Sequence, residues 1–428
     1  MGFEVKSIGE VCSVGDGAHS KVTRVETGIP YLTSKNIGQG FLKLDKLDYI
    51  SEESFEKLFS KDSKATRRPQ AGDVLFGIIG SFGNTYLYKE SDFFGFSSSI
   101  GILRPNPELL DSEYLYYVVS SKKFRDNHAN HNSGSVQGYT NIPTVKGLPV
   151  PVPSIAVQKK IAKVLQSLDR KIAVNQQTNQ TLEAMAQAIF KSWFVDFDPV
   201  KAKMRGEQPE GMDEATASLF PEKLVESELG LIPEGWDVGT LSDVAKYCSA
   251  RTKTDSITLE NYISTENMLA EKKGVTAASK LPKAKTVAAY KSGDILVSNI
   301  RPYFKKIWLA EGSGGRSNDV LGFESVSANT ESYLMNVLYQ DTFFEYMTRT
   351  SKGAKMPRGD KTAIMNWEMA VPPVELREAF SAIVDKFYQL IPQNRAQNAT
   401  LESLRDMLLP KLLSGELSLT DSLEVTNV

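Results

Sequence analysis

The feature that most constrains the fold of this chain is an internal repeat. The segment NQQTNQTLEAM begins at Asn175, and the similar segment NRAQNATLESL begins at Asn394, an offset of 219 residues. Further matches in the same order are Tyr114 with Tyr333, Pro153 with Pro372, AGDVLFGII from Ala71 with SGDILVSNI from Ser292, and PYLTSKNI from Pro30 with NYISTENM from Asn261. An ordered series of matches with a drifting offset indicates one fold that is present twice, with insertions in its loops.

Each copy begins with a globular part of roughly 150 residues that is rich in glycine and in short β-prone runs. Runs such as Gly72–Phe76 and Ile295–Val297 predict turns followed by strands of a mixed α/β domain. The glycine runs at 15–17 and 313–315 are predicted to be turns, because they lack the flanking strand and helix of a phosphate-binding loop. We therefore predict an α+β fold with two such domains.

The second part of each copy is a long helix. Residues 157–195 contain neither glycine nor proline, and a helix of that length would extend for roughly 58 Å. Its apolar positions alternate in steps of four and three, which is the seam of a coiled coil. The seam positions are Ile161, Leu165, Leu168, Ile172, Asn175, Asn179, Leu182, Ala186, Ile189 and Trp193, and in the second copy Phe380, Val384, Phe387, Ile391, Asn394, Asn398, Leu401, Arg405, Leu408 and Leu412. We predict that the two helices pair antiparallel, and that Pro392 kinks or breaks the second one.

Asparagine occupies two seam positions in each helix. A polar residue in such a seam lowers stability but sets the register of the pairing. In an antiparallel pair, Asn175 would meet Asn398 and Asn179 would meet Asn394. The same register pairs Trp193 with Phe380 and Leu168 with Arg405. The alternative is that the helices are exposed to solvent here; we favour a role in register because both copies keep both asparagines.

These patterns divide the chain into five segments. The prolines and glycines between Pro199 and Gly235 predict a linker without regular secondary structure. The predicted segments are a first globular domain (1–153), a first helix (154–198), the linker (199–232), a second globular domain (233–372) and a second helix (373–418).

Composition excludes several classes of protein. The 428 residues contain no run of about 18 apolar residues and no apolar signal-peptide core, so we expect a cytoplasmic protein without a membrane span. The two cysteines, Cys12 and Cys248, lie far apart, which argues against a disulfide scaffold. His128 and His131 have the spacing of a helical metal site but no nearby cysteine or acidic pair, so we predict no metal. No P-loop, dinucleotide-binding or Asn-Pro-Pro-aromatic motif occurs, so we predict neither a cofactor nor a catalytic site.

A tandem repeat joined by antiparallel helices would have an approximate two-fold axis, which suits duplex DNA with two half-sites. The net charge of −2 argues against DNA binding, unless local basic clusters make the phosphate contacts or partner subunits share them. The candidate DNA-binding residues are Lys64, Arg67, Arg68, Lys122, Lys123 and Arg125 in the first copy, and Arg301, Lys305, Lys306, Arg349, Lys352, Lys355, Arg358 and Lys361 in the second. The alternative for each of them is an ordinary solvated surface.

Four segments resemble conserved parts of the specificity subunits of type I restriction–modification systems. LPVPVPSIAVQKKIAKVL, from Leu148, resembles the start of their first spacer helix, and SWFVDFDPVKAKM, from Ser192, resembles its end. LFPEKLVESELGLIPEGWDVGTLSDVA, from Leu219, is similar to the entry into their second target-recognition domain, and PKLLSGEL, from Pro410, to their C-terminal ending. The chain departs from the family's Pro-Pro-Leu-x-Glu-Gln helix entry at Ser154, Val157, Leu376 and Arg377, and it keeps Gln158.

The resemblance spans essentially the whole chain and implies a function. Residues 1–153 and 233–372 would be target-recognition domains, each reading one half of an asymmetric, interrupted site in double-stranded DNA. The implied partners are two DNA adenine methyltransferase (modification) subunits and the restriction (translocase) subunits, which would carry the catalysis. Two other hypotheses are a nuclease or methyltransferase with degenerate motifs, which predicts catalysis by the purified chain, and a scaffold, which predicts no salt-dependent binding of duplex DNA.

Overall fold

The computed structural model describes residues 2–62, 65–131 and 138–419. The chain divides into two units: unit 1 comprises residues 1–174 and 397–428, and unit 2 comprises residues 175–396. Each unit contains one globular part and a portion of each of two long helices. The fold is of the predicted α+β class.

Unit 1 combines short strands with short helices that side chains cap. Its strands are β1 (Val5–Ser7), β2 (Cys12–Asp16), β3 (Ile29–Leu32), β4 (Asp48–Ile50), β5 (Val74–Gly77), β6 (Thr85–Leu87), β7 (Gly95–Phe96), β8 (Ile100–Pro105) and β9 (Pro149–Pro151). Its helices are α1 (Ile8–Val11), α2 (Glu52–Leu58), α3 (Ser112–Ser120), α4 (Lys122–Asn130), α5 (Ile142–Gly147) and the first part of α6 (Ile155–Phe194). Asp111 and Ser121 accept hydrogen bonds from backbone N–H groups in the first turns of α3 and α4, as N-cap residues do.

Unit 2 repeats this plan after the second part of α6. Its helices are α7 (Asp198–Met204), α8 (Glu214–Ser218), α9 (Glu331–Tyr339), α10 (Asp341–Arg349), α11 (Lys361–Met365) and the first part of α12 (Val374–Ser414). Its strands are β10 (Leu224–Ser227), β11 (Gly230–Pro233), β12 (Asp237–Thr240), β13 (Ala245–Tyr247), β14 (Arg251–Lys253), β15 (Tyr262–Ile263), β16 (Thr286–Tyr290), β17 (Ile295–Ser298), β18 (Ile307–Leu309), β19 (Gly314–Arg316), β20 (Val320–Ser325) and β21 (Glu368–Val371).

The two units share their sheet topology. The central antiparallel sheet has the order β2-β8-β5-β6 in unit 1 and the equivalent order β13-β20-β17-β18 in unit 2. A parallel pair is shared as well, β3 with β7 and β15 with β19. Strands β5 and β17 are fully buried in the middle of their sheets, which explains their uninterrupted apolar sequences. The repeat that the sequence predicts is therefore a repeat of structure.

The globular part of each unit packs on the long helices. In unit 1 one core contains Leu165 of α6 and Leu412 of α12 together with residues of the sheet. In unit 2 the core contains Trp193 of α6 and Phe380 of α12, whose ring centres lie 5.9 Å apart as the predicted register requires. Burying aromatic rings of both helices under one sheet fixes the helices to the globular part.

The long helices run antiparallel within each unit. In unit 1, Asn398 Nδ2 donates to the carbonyl of Ile172 (3.2 Å), and Arg405 Nη1 donates to Asp169 Oδ1 (2.9 Å). In unit 2, Asn394 Nδ2 donates to Asn179 Oδ1 (2.8 Å), the contact that the sequence predicts. None of the predicted seam positions is exposed. The Arg405 head stays partly exposed at 31% and forms an ion pair with Asp169, because that carboxylate lies beside it on α6.

Pro392 does not break the second helix, which is one of the two effects that the sequence predicts for it. Helix α12 is continuous from Val374 to Ser414 and contains Pro392 in its interior. Proline removes one backbone hydrogen bond, but packing holds the turns on either side of it. Ile391 is 4% exposed, and Asn394 is bonded to Asn179, so tertiary contacts maintain the helix through the proline.

The segment at 199–232, which the sequence predicts to be a linker without regular structure, contains helices α7 and α8 and most of the hairpin β10–β11. Its apolar residues are the reason. Val200 and Phe220 are buried in the core of unit 2, so the segment packs against that core instead of crossing solvent. Its glycines and prolines mark turns between these short elements.

The two glycine runs predicted to be turns lie largely in strands. Gly15 is in β2, and Gly314 and Gly315 are in β19. A Cβ atom on Gly15 would lie 1.8 Å from the carbonyl oxygen of Thr66, and one on Gly314 would lie 2.1 Å from that of Asn261. Glycine is required here because another backbone segment approaches the strand closely.

Candidate nucleic-acid interface

Loops at one edge of unit 2 bring together basic residues that are distant in sequence. Arg301 follows strand β17, and its backbone N–H donates to the carbonyl of Pro357 at 2.8 Å. The segment between α10 and α11 is closed by two backbone hydrogen bonds of 2.9 Å between Lys352 and Arg358. The predicted group at 301–306 therefore lies beside the predicted group at 349–361, as a shared phosphate-binding edge would require.

Carboxylates neutralise several of these cations. The ion pairs are Lys305 with Asp341 (3.1 Å), Lys352 with Asp360 (2.5 Å) and Arg358 with Asp319 (3.2 Å). Hydrogen bonds from Lys272 and Lys305 hold the pKa of Asp341 below its usual value, so this carboxylate is ionised at neutral pH. The hydrogen bond to Asp341 in turn raises the pKa of Lys305.

The other candidates of unit 2 differ in exposure. Lys355 and Lys361 are exposed, and their side chains form no ion pair among the described residues. Arg349 is exposed and lies over the ring of Tyr346, 5.4 Å from its centre. Lys306 donates to the Thr265 carbonyl at 2.6 Å, and burial lowers its pKa. Of the predicted candidates in unit 2, Lys355, Lys361 and Arg349 are thus exposed and have no carboxylate partner within the described part of the chain.

The equivalent edge of unit 1 carries fewer free cations. Helix α4 places Lys122 in an ion pair with Asp126 (2.5 Å) and leaves Lys123 exposed. Arg125 is half-buried, and its Nε is buried without a hydrogen-bond partner in the described part of unit 1. The loop after β5 passes next to it, because a Cβ on Gly83 would lie 3.8 Å from Arg125 Cγ.

His128 lies in the same part of unit 1 and is fully buried. Its ring stacks on Phe82 with centres 3.8 Å apart, and neither of its ring nitrogens has a hydrogen-bond partner among the residues that the structure describes. Burial lowers the pKa of His128 to about 4, so the ring is neutral at physiological pH. His131 instead places its Nδ1 2.9 Å from the carbonyl of Asn127. No group of three or more potential metal ligands occurs among the described residues.

The remaining candidates of the first copy precede strand β5. Arg68 donates two hydrogen bonds to the Glu56 carboxylate (2.8 and 3.0 Å), and its guanidinium lies 5.1 Å from the centre of the Phe55 ring. Arg67 and Lys146 line a cavity of about 280 Å³ beside β2. Lys64 lies outside the described residues. Arg68 is therefore engaged within the fold, whereas Arg67 faces a polar cavity.

Comparison with known proteins identifies the family. The sequence profile "Type I restriction modification DNA specificity domain" matches residues 1–184. The HindI specificity subunit of Haemophilus influenzae is 24% identical over 417 residues, covering 83% of this chain and 88% of the relative. The MjaIX specificity subunit of Methanocaldococcus jannaschii is 28% identical over 442 residues, covering 97% of this chain and 92% of the relative. This chain belongs to the specificity subunits of type I restriction–modification systems.

The fold agrees with that assignment. The crystal structure of the S subunit from M. genitalium superposes with a TM-score of 0.57 at 16% identity, covering 98% of this chain and 97% of that one. A specificity subunit recognises DNA target sites and is a non-catalytic member of its complex. No helix in the described part of this subunit is both long enough and apolar enough to cross a bilayer.

Lys272 and Asp341 belong to this edge of the specificity subunit, and sequence reasoning missed both. Lys272 lies 2.7 Å from Asp341, which also binds Lys305, and its Nζ lies 4.5 Å from the ring centre of Tyr339. The repeat carried one usable signal: at the offset of 219, acidic Asp341 stands where the first copy has basic Lys122. Such a charge reversal indicates that the two copies present different surfaces at the same place.

Proposed function

We propose that this specificity subunit reads an interrupted DNA site with two different half-sites, one through residues 1–153 and the other through residues 233–372. The observation that carries the proposal is the recurrence of one sheet order in both units, each with its own segment of antiparallel helices. Duplex DNA offers the same backbone geometry to each copy of such a repeat. The loops of the two copies differ in charge, which supports unlike half-sites.

The asparagines of the helix seam support a fixed spacing between the half-sites. Asn179 and Asn398 are each 8% exposed, and Asn175 is 4% exposed, so three of the four amides lie in the seam rather than in solvent. Sliding the helices by one heptad would bury these amides against apolar side chains. Asn175, Asn179, Asn394 and Asn398 would thus set the register, and the helices would act as a ruler.

The proposed partners are two modification subunits, which would methylate adenine, and the restriction (translocase) subunits. Exposed apolar side chains on the long helices support this proposal. They are Val174, Leu404 and Met407 in unit 1, and Met185 and Leu390 in unit 2. Leu404 and Met407 are three residues apart on α12 and so are neighbours on one helix face. Contiguous apolar surface in solvent marks protein interfaces. The net charge of −2 agrees with a subunit that shares phosphate contacts with its partners.

A domain exchange tests the proposed reading of two half-sites. Residues 1–153 are replaced by the corresponding domain of a relative with a known site, and the assembled complex methylates a randomised DNA library that is then sequenced. One half-site should change, and the other half-site and the spacer should stay the same. The matched control exchanges residues 233–372 and should change the opposite half. A change in both halves after either exchange contradicts the assignment.

A second experiment tests the partners. The isolated chain should bind duplex DNA weakly, and addition of modification subunits should give tight, specific binding at physiological salt. Tight specific binding by the chain alone contradicts the proposal that phosphate contacts are shared. Removing one heptad from each helix should alter the spacer or abolish activity without changing either half-site sequence.

A further inference from the structure

The segment 301–305 at the edge of unit 2 is held on both sides. The N–H of Arg301 donates to the carbonyl of Pro357 (2.8 Å), and the N–H of Lys272 donates to the carbonyl of Lys305 (2.9 Å). Between these anchors the chain makes a single tight turn at Pro302–Phe304. Side chains of this segment therefore start from a fixed backbone.

Unfavourable backbone conformations are concentrated in these loops. Glu271, Lys272, Arg301 and Lys305 have φ angles of 54°, 59°, 51° and 49°, and they are four of the six non-glycine residues with positive φ in the described part of the chain. L-amino acids disfavour this left-handed region, and such conformations persist mainly where function requires them. The concentration of strain marks this edge as a functional site.

The first copy of the repeat shows that glycine could occupy the position of Arg301. Ile79 and Ile300 each form an isolated antiparallel bridge to the segment between the last two short helices of their unit. The residue after Ile79 is Gly80, with a φ of 83°, which glycine adopts without steric cost. The second copy has a strained arginine there, so the guanidinium itself is the feature that this position provides.

The Arg301 guanidinium is free to bind a ligand. It forms no ion pair among the described residues, unlike its neighbours Lys305 and Arg358, which are paired with carboxylates. Its Nε is buried and has no hydrogen-bond partner, so the two terminal nitrogens are the donors that remain available. The exposed rings of Tyr303 and Phe304 follow it in the chain, 47% and 37% exposed.

We propose that Arg301 is a specificity-determining residue that recognises one guanine in the half-site read by residues 233–372. This inference rests on the proposed function. Two parallel donors on a rigid fork match O6 and N7 of guanine in the major groove, and no other base presents two acceptors there. A phosphate contact needs no fixed fork, and the flexible side chains of Lys355 and Lys361 can make it.

The experiment uses the chain assembled with its modification subunits and a library of randomised sites, sequenced after methylation. The variant Arg301→Gly copies Gly80 and suits the left-handed backbone, so it should fold at least as well as the parent. Arg301→Lys keeps the charge but lacks the fork. Lys355→Ala, in the neighbouring loop, is the matched control for a phosphate contact.

We expect Arg301→Gly and Arg301→Lys to reduce the preference for guanine at one position of one half-site by about 10- to 100-fold, with every other position unchanged. Lys355→Ala should weaken binding equally for all sequences. A uniform loss with Arg301→Gly, an unchanged consensus, or a parent consensus without a G·C pair in that half-site overturns the inference and leaves the proposed function standing. A parent complex without any sequence preference overturns both.

Discussion

Asn394 donates a 2.8 Å hydrogen bond to the side chain of Asn179, joining the two long helices through polar groups in an otherwise largely apolar seam. Asn179 in turn donates to the carbonyl of Ile391 at 3.4 Å. Each amide therefore depends on the opposite helix for its hydrogen bond. A seam built in this way tolerates only the register in which the amides meet.

A double-mutant cycle measures this pair. Asn179→Ala and Asn394→Ala should each lower the free energy of unfolding by about 1–3 kcal/mol, because each removes the hydrogen-bond partner of the other amide within the seam. The double variant should lose less than the sum of the two, with a coupling of about 1 kcal/mol. Thermal and denaturant unfolding provide the measurement, and exposed Gln176→Ala is the control. Simple additivity would show that the two amides do not depend on each other.

The other predicted pair, Asn175 with Asn398, is testable by cross-linking. Asn175→Cys combined with Asn398→Cys, in a background without Cys12 and Cys248, should form a disulfide within the chain under mild oxidation, since facing seam positions have the required spacing. The combination of Asn175→Cys with Leu401→Cys is the matched control, one turn out of register. More efficient cross-linking in the control would refute the predicted register and leave the family assignment unaffected.

The repeat also identifies a buried position at which the side chain forms fewer hydrogen bonds in the second copy than in the first. In unit 1, Gln158 accepts a hydrogen bond from the Asp111 N–H (2.8 Å) and donates to the carbonyls of Leu109 (3.0 Å) and Pro153 (2.7 Å). The second copy has Arg377, which is 7% exposed and whose Nε and Nη1 have no hydrogen-bond partner within residues 2–62, 65–131 and 138–419. A buried, unpaired cation is unfavourable.

Arg377→Gln should therefore stabilise the protein, although it removes a large side chain. We expect a gain on the order of 1 kcal/mol, because glutamine can form the hydrogen bonds that Gln158 forms and no buried charge remains. The reciprocal variant, Gln158→Arg, should destabilise unit 1 by more than that. Calorimetric unfolding of both variants decides the matter, and a lower melting temperature for Arg377→Gln would show that Arg377 has a stabilising role.

The sequence predicts those parts of the fold that repeat or follow a regular period. The seam of the long helices and the two glycine-bounded core strands follow from spacing alone, because burial imposes that spacing. The antiparallel pairing follows from the tandem repeat. The sequence predicts a turn at the glycines of β19, which is wrong, because the backbone contact that requires Gly314 comes from Asn261, far away in sequence. Continuity of the helix through Pro392 likewise depends on tertiary packing, which overrides local propensity.

The candidate binding site is harder to predict, because it too depends on contacts between residues that are distant in sequence. Basic residues are visible in the sequence, but their carboxylate partners are not, since Asp341 and Lys305 meet only in the folded unit. Arg301 is distinguished as a candidate specificity residue by its positive φ angle and by the comparison with Gly80 of the first copy. Composition therefore identifies candidates, and the fold decides which of them are free to bind.

Burial of His128 predicts a dependence of stability on pH. Its pKa is about 4 in the folded protein and 6.5 when unfolded, so between these values the unfolded state binds the additional proton. The contribution of His128 to the free energy of unfolding should be fully present above pH 6.5. It should decrease by about 3 kcal/mol as the pH falls towards 4. The second copy has Met347 at the position of His128. The variant His128→Met should therefore lose about that much less of its unfolding free energy on acidification. Unfolding at pH 7.5 and 4.5 tests this, with the exposed, non-titrating Gln176→Ala as the control that should leave the pH dependence unchanged.

The division of the cations into free and paired predicts their effects on DNA binding. Each phosphate contact contributes about 0.9 to the slope of log K against log salt concentration. Lys361→Gln and Lys355→Gln should each reduce the slope by about that amount in the assembled complex, for every sequence alike, because these side chains have no carboxylate partner among the described residues.

Lys352→Gln should have a smaller effect on the slope, since Lys352 must first leave Asp360. Lys223→Gln, at the residue before strand β10, where Lys223 pairs with Glu234 (3.9 Å), is the control with no expected effect. Equal slopes for Lys361→Gln and Lys223→Gln would remove Lys361 from the interface, and a larger effect of Lys352→Gln than of Lys361→Gln would show that the ion pair with Asp360 opens on DNA.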